Sequence, residues 1–208
     1  MDPPRPLPGV NTKSVPRGTV ASDADLIAGC LAGDEDAFVR MVSRHEEAIS
    51  RYLVRQVGRE AAQDLLGEVW IEAYTSRASY DRSYADARPW LYGVALNQVR
   101  RLWRNRPPEN LIPDMGELPI AWDPWPTVEI RLDAREALRG ALAALRPDAR
   151  DVLTLVVGED LAVVDAARVL GITAAKARRL LYEARASLRQ DSRIAALLDE
   201  LNNVGESK

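Results

Sequence analysis

A chain of 208 residues, 47% hydrophobic and 28% charged, is long enough for two small globular domains and too evenly mixed in polarity for a fibrous or wholly disordered polypeptide. No apolar run approaches the roughly 20 residues of a membrane span, and the first residues contain no secretory apolar segment, so membrane insertion and export are not expected. Cys30 is the single cysteine, which excludes an internal disulfide and a cysteine-built zinc site and makes the cytoplasm the expected compartment.

Residues 1–21 are rich in proline and poor in large apolar side chains, which predicts a disordered N-terminal segment. Asp23 then looks like a helix N-cap ahead of Leu26, Ile27 and Leu31. Gly33-Asp34 breaks that helix. A longer one follows with Phe38, Val42, Ile49 and Leu53 on one face, and Gly58 ends it. Asp64 to Tyr74 is the third helix and Pro89 to Arg104 the fourth, with Pro89 in a first turn that loses nothing by lacking its N–H. Six prolines between 107 and 127 mark an interdomain linker. Helical periodicity resumes near Val128 through Leu138, Leu142 and Leu145; Pro147 restarts a helix to Val157, and two more are expected at about 161–170 and 174–190. No alternating strand pattern of useful length and no internal repeat is visible. The expected architecture is all-α. Two small helical domains, 22–106 and 129–190, are joined by the proline-rich acidic linker 107–128, with a tail over 191–208.

The net charge of −3 conceals a segregation of charge. Arg100, Arg101, Arg104 and Arg106 stand in a stretch without acids, and Arg168, Lys176, Arg178, Arg179, Arg185 and Arg189 face only Glu183. Acids dominate between them, with Glu109, Asp114, Glu117 and Asp123 in the linker. Local patches, not the sum, set the field that a nucleic-acid phosphate meets.

The strongest local pattern is Leu161 to Arg189. A short helix with Val164, Ala167 and Leu170 facing inward ends at Gly171, where a left-handed residue is wanted, and Thr173 can cap the next helix. That second helix turns Ala177, Leu181, Ala184 and Leu188 to the core and presents Lys176, Arg178, Arg179 and Arg185 outward. This is a helix-turn-helix pattern, in which the second helix enters the major groove, arginine pairs with guanine and lysine neutralises phosphate. A basic face on an ordinary packing helix is the alternative, and the glycine turn between two short amphipathic helices argues against it.

Several segments together resemble a known family. Ala32-Gly-Asp-Glu-Asp-Ala-Phe38 with Arg44-His45, then Asp64-Leu-Leu-Gly-Glu-Val-Trp70, then Trp90-Leu-Tyr-Gly-Val-Ala-Leu-Asn97, and finally Leu145-Arg-Pro-Asp-Ala-Arg-Asp-Val152 with the helix-turn-helix follow the order seen in extracytoplasmic-function (ECF) sigma factors of the sigma-70 family. The likeness covers about 23–106 and 130–190. It implies a sigma factor that binds RNA polymerase core through its β and β′ subunits, recognises the −35 and −10 promoter elements and promotes DNA opening. A separate anti-sigma protein is implied as a further partner.

The resemblance distributes sites along the chain. It places polymerase contact on the third helix, at Asp64, Leu65, Glu68, Val69 and Glu72; there Asp64, Glu68 and Glu72 recur every four residues as an acidic stripe suited to a basic-plus-apolar partner. It places the −10 element at Tyr80, Arg82, Tyr84, Arg88, Trp90, Asn97, Arg100, Arg101 and Arg104, where aromatic faces can take unpaired bases and cations can track the backbone. It places the −35 element at Thr173, Lys176, Arg178, Arg179 and Arg185. No catalytic residue, metal or cofactor is expected: the chain has one histidine, one cysteine and no glycine-rich phosphate loop. Leu96, Gly67, Leu180 and Glu183 depart from the usual family residues, and the −35 sequence read is expected to be unusual. The competing reading is a stand-alone helix-turn-helix regulator that binds duplex DNA without acting as a polymerase subunit. His45 and Cys30 are expected to be structural.

Overall fold

Ser22 starts the described fold. Its side chain caps the first helix by accepting from the Asp25 N–H, and Asp25 reaches back to the Ser22 N–H at 3.0 Å, a reciprocal capping box. The computed structural model describes residues 21–105 and 137–196, all of its regular structure helical. In the first domain these are α1 (Asp23–Leu31), α2 (Glu35–Val57), α3 (Arg59–Ser76) and α4 (Arg88–Asn105). The second holds α5 (residues 137–144), α6 (Pro147–Leu153), α7 (Val163–Leu170) and α8 (Ala174–Gln190). The expected disorder of 1–21, the linker and most of the C-terminal tail lie outside the described residues.

α2 organises the first domain because Ala37, Met41, His45, Ile49, Leu53 and Val57 recur at four-residue spacing and are all buried, with Tyr52 beside them. Such a row forms one continuous stripe on a helix. Against it pack Leu65, Val69 and Ala73 of α3 and Leu91, Ala95 and Val99 of α4. Asp34 caps α2 by accepting from the Ala37 N–H at 3.1 Å. Gly58, at φ +81, makes the turn from α2 directly into α3.

Asp23 is a buried first-turn residue of α1 rather than its cap. Its backbone N–H donates to the Ala85 carbonyl at 3.0 Å. Its carboxylate accepts from the Ala87 N–H and meets His45 Nε2, both at 2.8 Å, and it also pairs with Arg44. One side chain therefore ties α1 and α2 to the loop that precedes α4. His45 is 5% exposed and Cys30 is buried in the same core, both structural as expected.

In the second domain Pro147 occupies the first turn of α6. α6 continues as a π-helical turn over Thr154–Gly158, so the helical run expected to Val157 is present with a changed pitch. Arg150 reaches back and donates to the carbonyls of Leu142 and Ala143 at 2.8 Å, satisfying the exposed end of α5. Gly171 is left-handed at φ +65, and Thr173 caps α8 by accepting from the Lys176 N–H at 3.2 Å, both as the sequence requires. Val164 differs from expectation: it is exposed, and Ala166 and Ala167 supply the buried face of α7. Leu180 is also core, packed with Ala149, Val152, Ala177 and Ala184.

The two domains are not independent bodies. Leu155, Leu161 and Ala166 of the second domain belong to the same apolar cluster as Tyr52, Leu91 and Tyr92 of the first. Arg100 of α4 donates to Asp151 at 2.9 Å across the boundary, and Glu159 pairs with Arg55 while accepting from the Tyr92 hydroxyl at 2.8 Å. The proline-rich composition of the linker gives no sign of this packing.

Candidate nucleic-acid interface

The loop 80–87 and the outer face of α4 enclose a cleft. Tyr80, only 7% exposed and a member of the first domain's core, lies beneath its floor, with its ring 5.4 Å from that of Trp90 and its hydroxyl donating to the Tyr84 carbonyl at 2.6 Å. Burial pushes the Tyr80 hydroxyl up to about 12, so it remains a protonated donor. Tyr84 stands exposed at the rim. Gly93, Asn97, Arg101 and Arg104 recur along α4 at three- and four-residue spacing and form the adjoining wall. Asn97, Arg101 and Arg104 are exposed. Aromatic faces beside a row of cations can hold unpaired bases and their phosphates.

The second surface is the outer face of α8. Lys176, Arg178, Arg179 and Arg185 are all exposed there. Arg179 pairs with Glu183 at 3.5 Å and Lys176 with Asp148 at 3.6 Å, contacts between exposed groups that cost little to exchange for phosphate. A third surface is α3, where Asp64, Glu68 and Glu72 are exposed while Leu65, Val69 and Ala73 point inward.

The Sigma-70 region 2 family matches residues 41–107, and the Sigma-70 region 4 family matches residues 135–188. The ECF RNA polymerase sigma factor SigM of Mycobacterium tuberculosis is 30% identical over 183 residues, covering 87% of each chain. The chain belongs to the ECF sigma factors. SigM of Bacillus subtilis, also an ECF sigma factor, is 32% identical over 135 residues, 63% of this chain and 79% of its own. The solved structure of CnrH in complex with the cytosolic domain of CnrY shares the fold, with a TM-score of 0.61 at 23% identity over 86% of this chain and 97% of that one; CnrH is also known from Cupriavidus metallidurans. The protein is thus an RNA polymerase sigma factor with a region 2 and a region 4 joined by a linker.

Not every expected site residue of this sigma factor reaches the surface assigned to it. Leu65 and Val69 are buried in the region 2 core, because the stripe that packs α3 on α2 uses them; they support the acidic face from behind and offer it no atoms. Arg100 points away from the cleft toward Asp151 of region 4, since a residue adjacent to Arg101 lies about 100° around the helix. Arg88 pairs with Asp86, and neither Arg88 nor Arg82 lines the cleft. Leu96 is buried, as is Leu180, so both family departures replace potential contacts by packing. Thr173 acts first as the cap of α8.

Four residues had no site assigned to them from the sequence. Tyr182 is 73% exposed on the outer face of α8, among the arginines. Ile71 is 70% exposed beside the acids of α3 and supplies the apolar component of that face. Gln98 lines the cleft and is buried, with its Oε1 lacking a hydrogen-bond partner. Arg168 lines the same cleft from region 4. Exposed apolar positions at helical spacing could have revealed the first two; only the packing of the domains reveals the last.

Proposed function

We propose that the cleft formed by loop 80–87 and α4 captures unpaired −10 bases, that the outer face of α8 reads the −35 duplex, and that the acidic face of α3 docks on polymerase core. The observation that carries this reading is the row Asn97, Arg101 and Arg104 running from the half-buried Trp90 and the exposed Tyr84, with the buried Tyr80 behind them, an aromatic surface continuous with a phosphate track. Capture of bases by stacking, worth about 1–3 kcal/mol each, supplies free energy for strand separation without nucleotide hydrolysis. The protein acts as a binding subunit in the cytoplasm rather than as an enzyme, with domain limits at 22–106 and 129–190.

Asp64, Glu68 and Glu72 present carboxylates to a basic surface of the β and β′ subunits, with Ile71 as the apolar anchor among them. Arg178, Arg179, Arg185 and Tyr182 face the major groove, with Lys176 on phosphate. A separate anti-sigma chain is a further partner of this reading, supported by the likeness to CnrH, which is solved with the cytosolic domain of CnrY. The acidic linker residues Glu109, Asp114, Glu117 and Asp123 suit a basic channel in the polymerase.

Run-off transcription tests the assignment. Core polymerase free of other sigma factors, supplied with this chain and a genomic promoter library, gives discrete start sites, and Tyr84→Ala, which removes the exposed aromatic of the cleft, then loses permanganate reactivity of thymines near −10 while closed-complex binding persists. Duplex binding without any polymerase-dependent start site would instead identify a stand-alone regulator.

A further inference from the structure

α4 carries one buried polar side chain with nothing to bond. Gln98 is 7% exposed and lines the cleft between loop 80–87 and α4, yet its Oε1 has no hydrogen-bond partner. Among the described residues its amide makes no hydrogen bond at all. A buried acceptor left unmade is costly, so such a group points to a partner that completes it. Gln98 lies four residues beyond Val94 and three before Arg101, and all three line the cleft from one face of the helix. The amide therefore stands between an apolar wall and the start of the cation row. At 1.5 Å of rise per residue it is about 12 Å along the axis from Trp90 and about 4.5 Å from Arg101. A base stacked on Trp90 leaves it free for another nucleotide, whose phosphate falls beside Arg101. The last bond of a glutamine side chain turns easily, and here the turn breaks no existing hydrogen bond.

We propose that Gln98 reads an adenine of the captured strand, its Oε1 accepting from the N6 amino group and its Nε2 donating to N7. The proposal rests on the reading of this cleft as the −10 site. The chemistry of the amide selects the ligand. Phosphate calls for charged donors, which Arg101 and Arg104 supply, whereas a neutral carboxamide offers one acceptor beside one donor. Adenine presents the complement, an amino donor beside a ring acceptor; the same edge of guanine carries two acceptors, that of thymine an acceptor and a methyl group, and that of cytosine a donor alone. Glu72 of α3 lines the same cleft, and a carboxylate favours an amino-bearing edge over one that carries a carbonyl. Adenine thus satisfies an acceptor that the free chain leaves bare, and any other base satisfies it in part or not at all.

The test is selection by the holoenzyme, the full-length chain on polymerase core, from short single-stranded DNA with a randomised centre, with core alone as background and the retained strands sequenced. The wild type enriches adenine at one position about tenfold over guanine and thymine. Gln98→Met, which keeps the length of the side chain and removes its polar atoms, reduces that preference to within about twofold while the other selected positions are unchanged. Arg101→Ala lowers retention of all strands and leaves the adenine preference intact. The free Gln98→Met chain melts no lower than the wild type, because the substitution deletes an unbonded acceptor rather than a bond. An adenine preference that survives in Gln98→Met overturns the proposal, as does a Gln98-dependent position enriched in another base. A lower melting temperature with an unchanged selected sequence identifies a structural amide and overturns it too. If the wild-type holoenzyme enriches no sequence over core alone, the −10 reading itself fails; if it does and only the Gln98→Met result is absent, the cleft stands and the reader is lost.

Discussion

Arg55, in the last turn of α2, and Glu159, 104 residues further along the chain, form a buried ion pair that joins region 2 to region 4. The Tyr92 hydroxyl donates to the other Glu159 oxygen at 2.8 Å. Asp160, at φ +53, turns the chain immediately afterward, and the Leu161 N–H returns to the Leu155 carbonyl at 3.0 Å. The carboxylate is thereby held in the domain boundary with a cation and a hydroxyl as partners.

Removal of one member of this pair leaves the other buried and uncompensated. Glu159→Ala is expected to weaken interdomain packing by about 3–5 kcal/mol, whereas the double replacement Arg55→Met with Glu159→Leu loses much less, because an apolar pair of similar volume fits such a site. Energy transfer between dyes on α2 and α8 measures the separation. Equal efficiencies for the wild type and Glu159→Ala would show that the pair does not hold the domains together.

Acidity is expected to act in opposite directions on the packing between the domains and on region 2. Burial raises the Asp151 carboxyl above its ordinary value in the packed chain, more than Arg100 lowers it. The packed form therefore holds more protons than the separated one between the ordinary and the raised values. Packing is strongest below the ordinary value and weakens as pH rises through the raised one. Burial also raises Asp23, but its contacts with His45, the Ala87 N–H and Arg44 outweigh burial and leave it below its ordinary value. Its contribution to region 2 is present above the ordinary value and is lost as pH falls toward the lowered one. A pH series should thus show energy transfer between the domains increasing as mild acid is reached, before the helical signal of region 2 declines. A simultaneous loss of both signals would contradict this order.

Two glycines are expected to respond to alanine with opposite signs. A Cβ on Gly67 would meet nothing within 4 Å, and the residue lies mid-helix in α3, so Gly67→Ala stabilises by up to about 1 kcal/mol. Gly171 also has open space around a Cβ, but its φ of +65 makes Gly171→Ala cost about 1–2 kcal/mol through the backbone alone. Thr173→Ala removes the α8 cap at a cost of about 1 kcal/mol. Chemical denaturation of the three variants reads these differences directly, and a stabilising Gly171→Ala would refute the left-handed turn.

On α8, Arg178→Ala and Tyr182→Ala are expected to weaken holoenzyme binding to the upstream duplex by about 1–3 kcal/mol each without changing the thermal stability of the chain. Leu180→Arg places a charge in the region 4 core, so it unfolds that domain. Circular dichroism separates the two behaviours. Native-like melting of Leu180→Arg would show that the side chain can turn outward.

The order of the helices, the glycine turn, the Thr173 cap and the outward basic row of α8 were legible in the sequence because each depends on neighbours within about one or two helical turns. Local spacing fixes which residues share a face. It does not fix which face meets another element. On α3 the sequence set Leu65 and Val69 beside the acidic stripe as contact candidates, although both belong to the core while the acids and Ile71 reach solvent. Asp23 read as a cap for the same reason: its partners Ala85 and Ala87 are more than 60 residues away. The tertiary structure alone decided that Arg100 turns to region 4, that Glu159 is buried against Arg55 and Tyr92, and that Arg168 stacks on Tyr84. Those contacts join residues far apart in the chain, and long-range burial, unlike helical periodicity, leaves no repeating mark in the order of the amino acids.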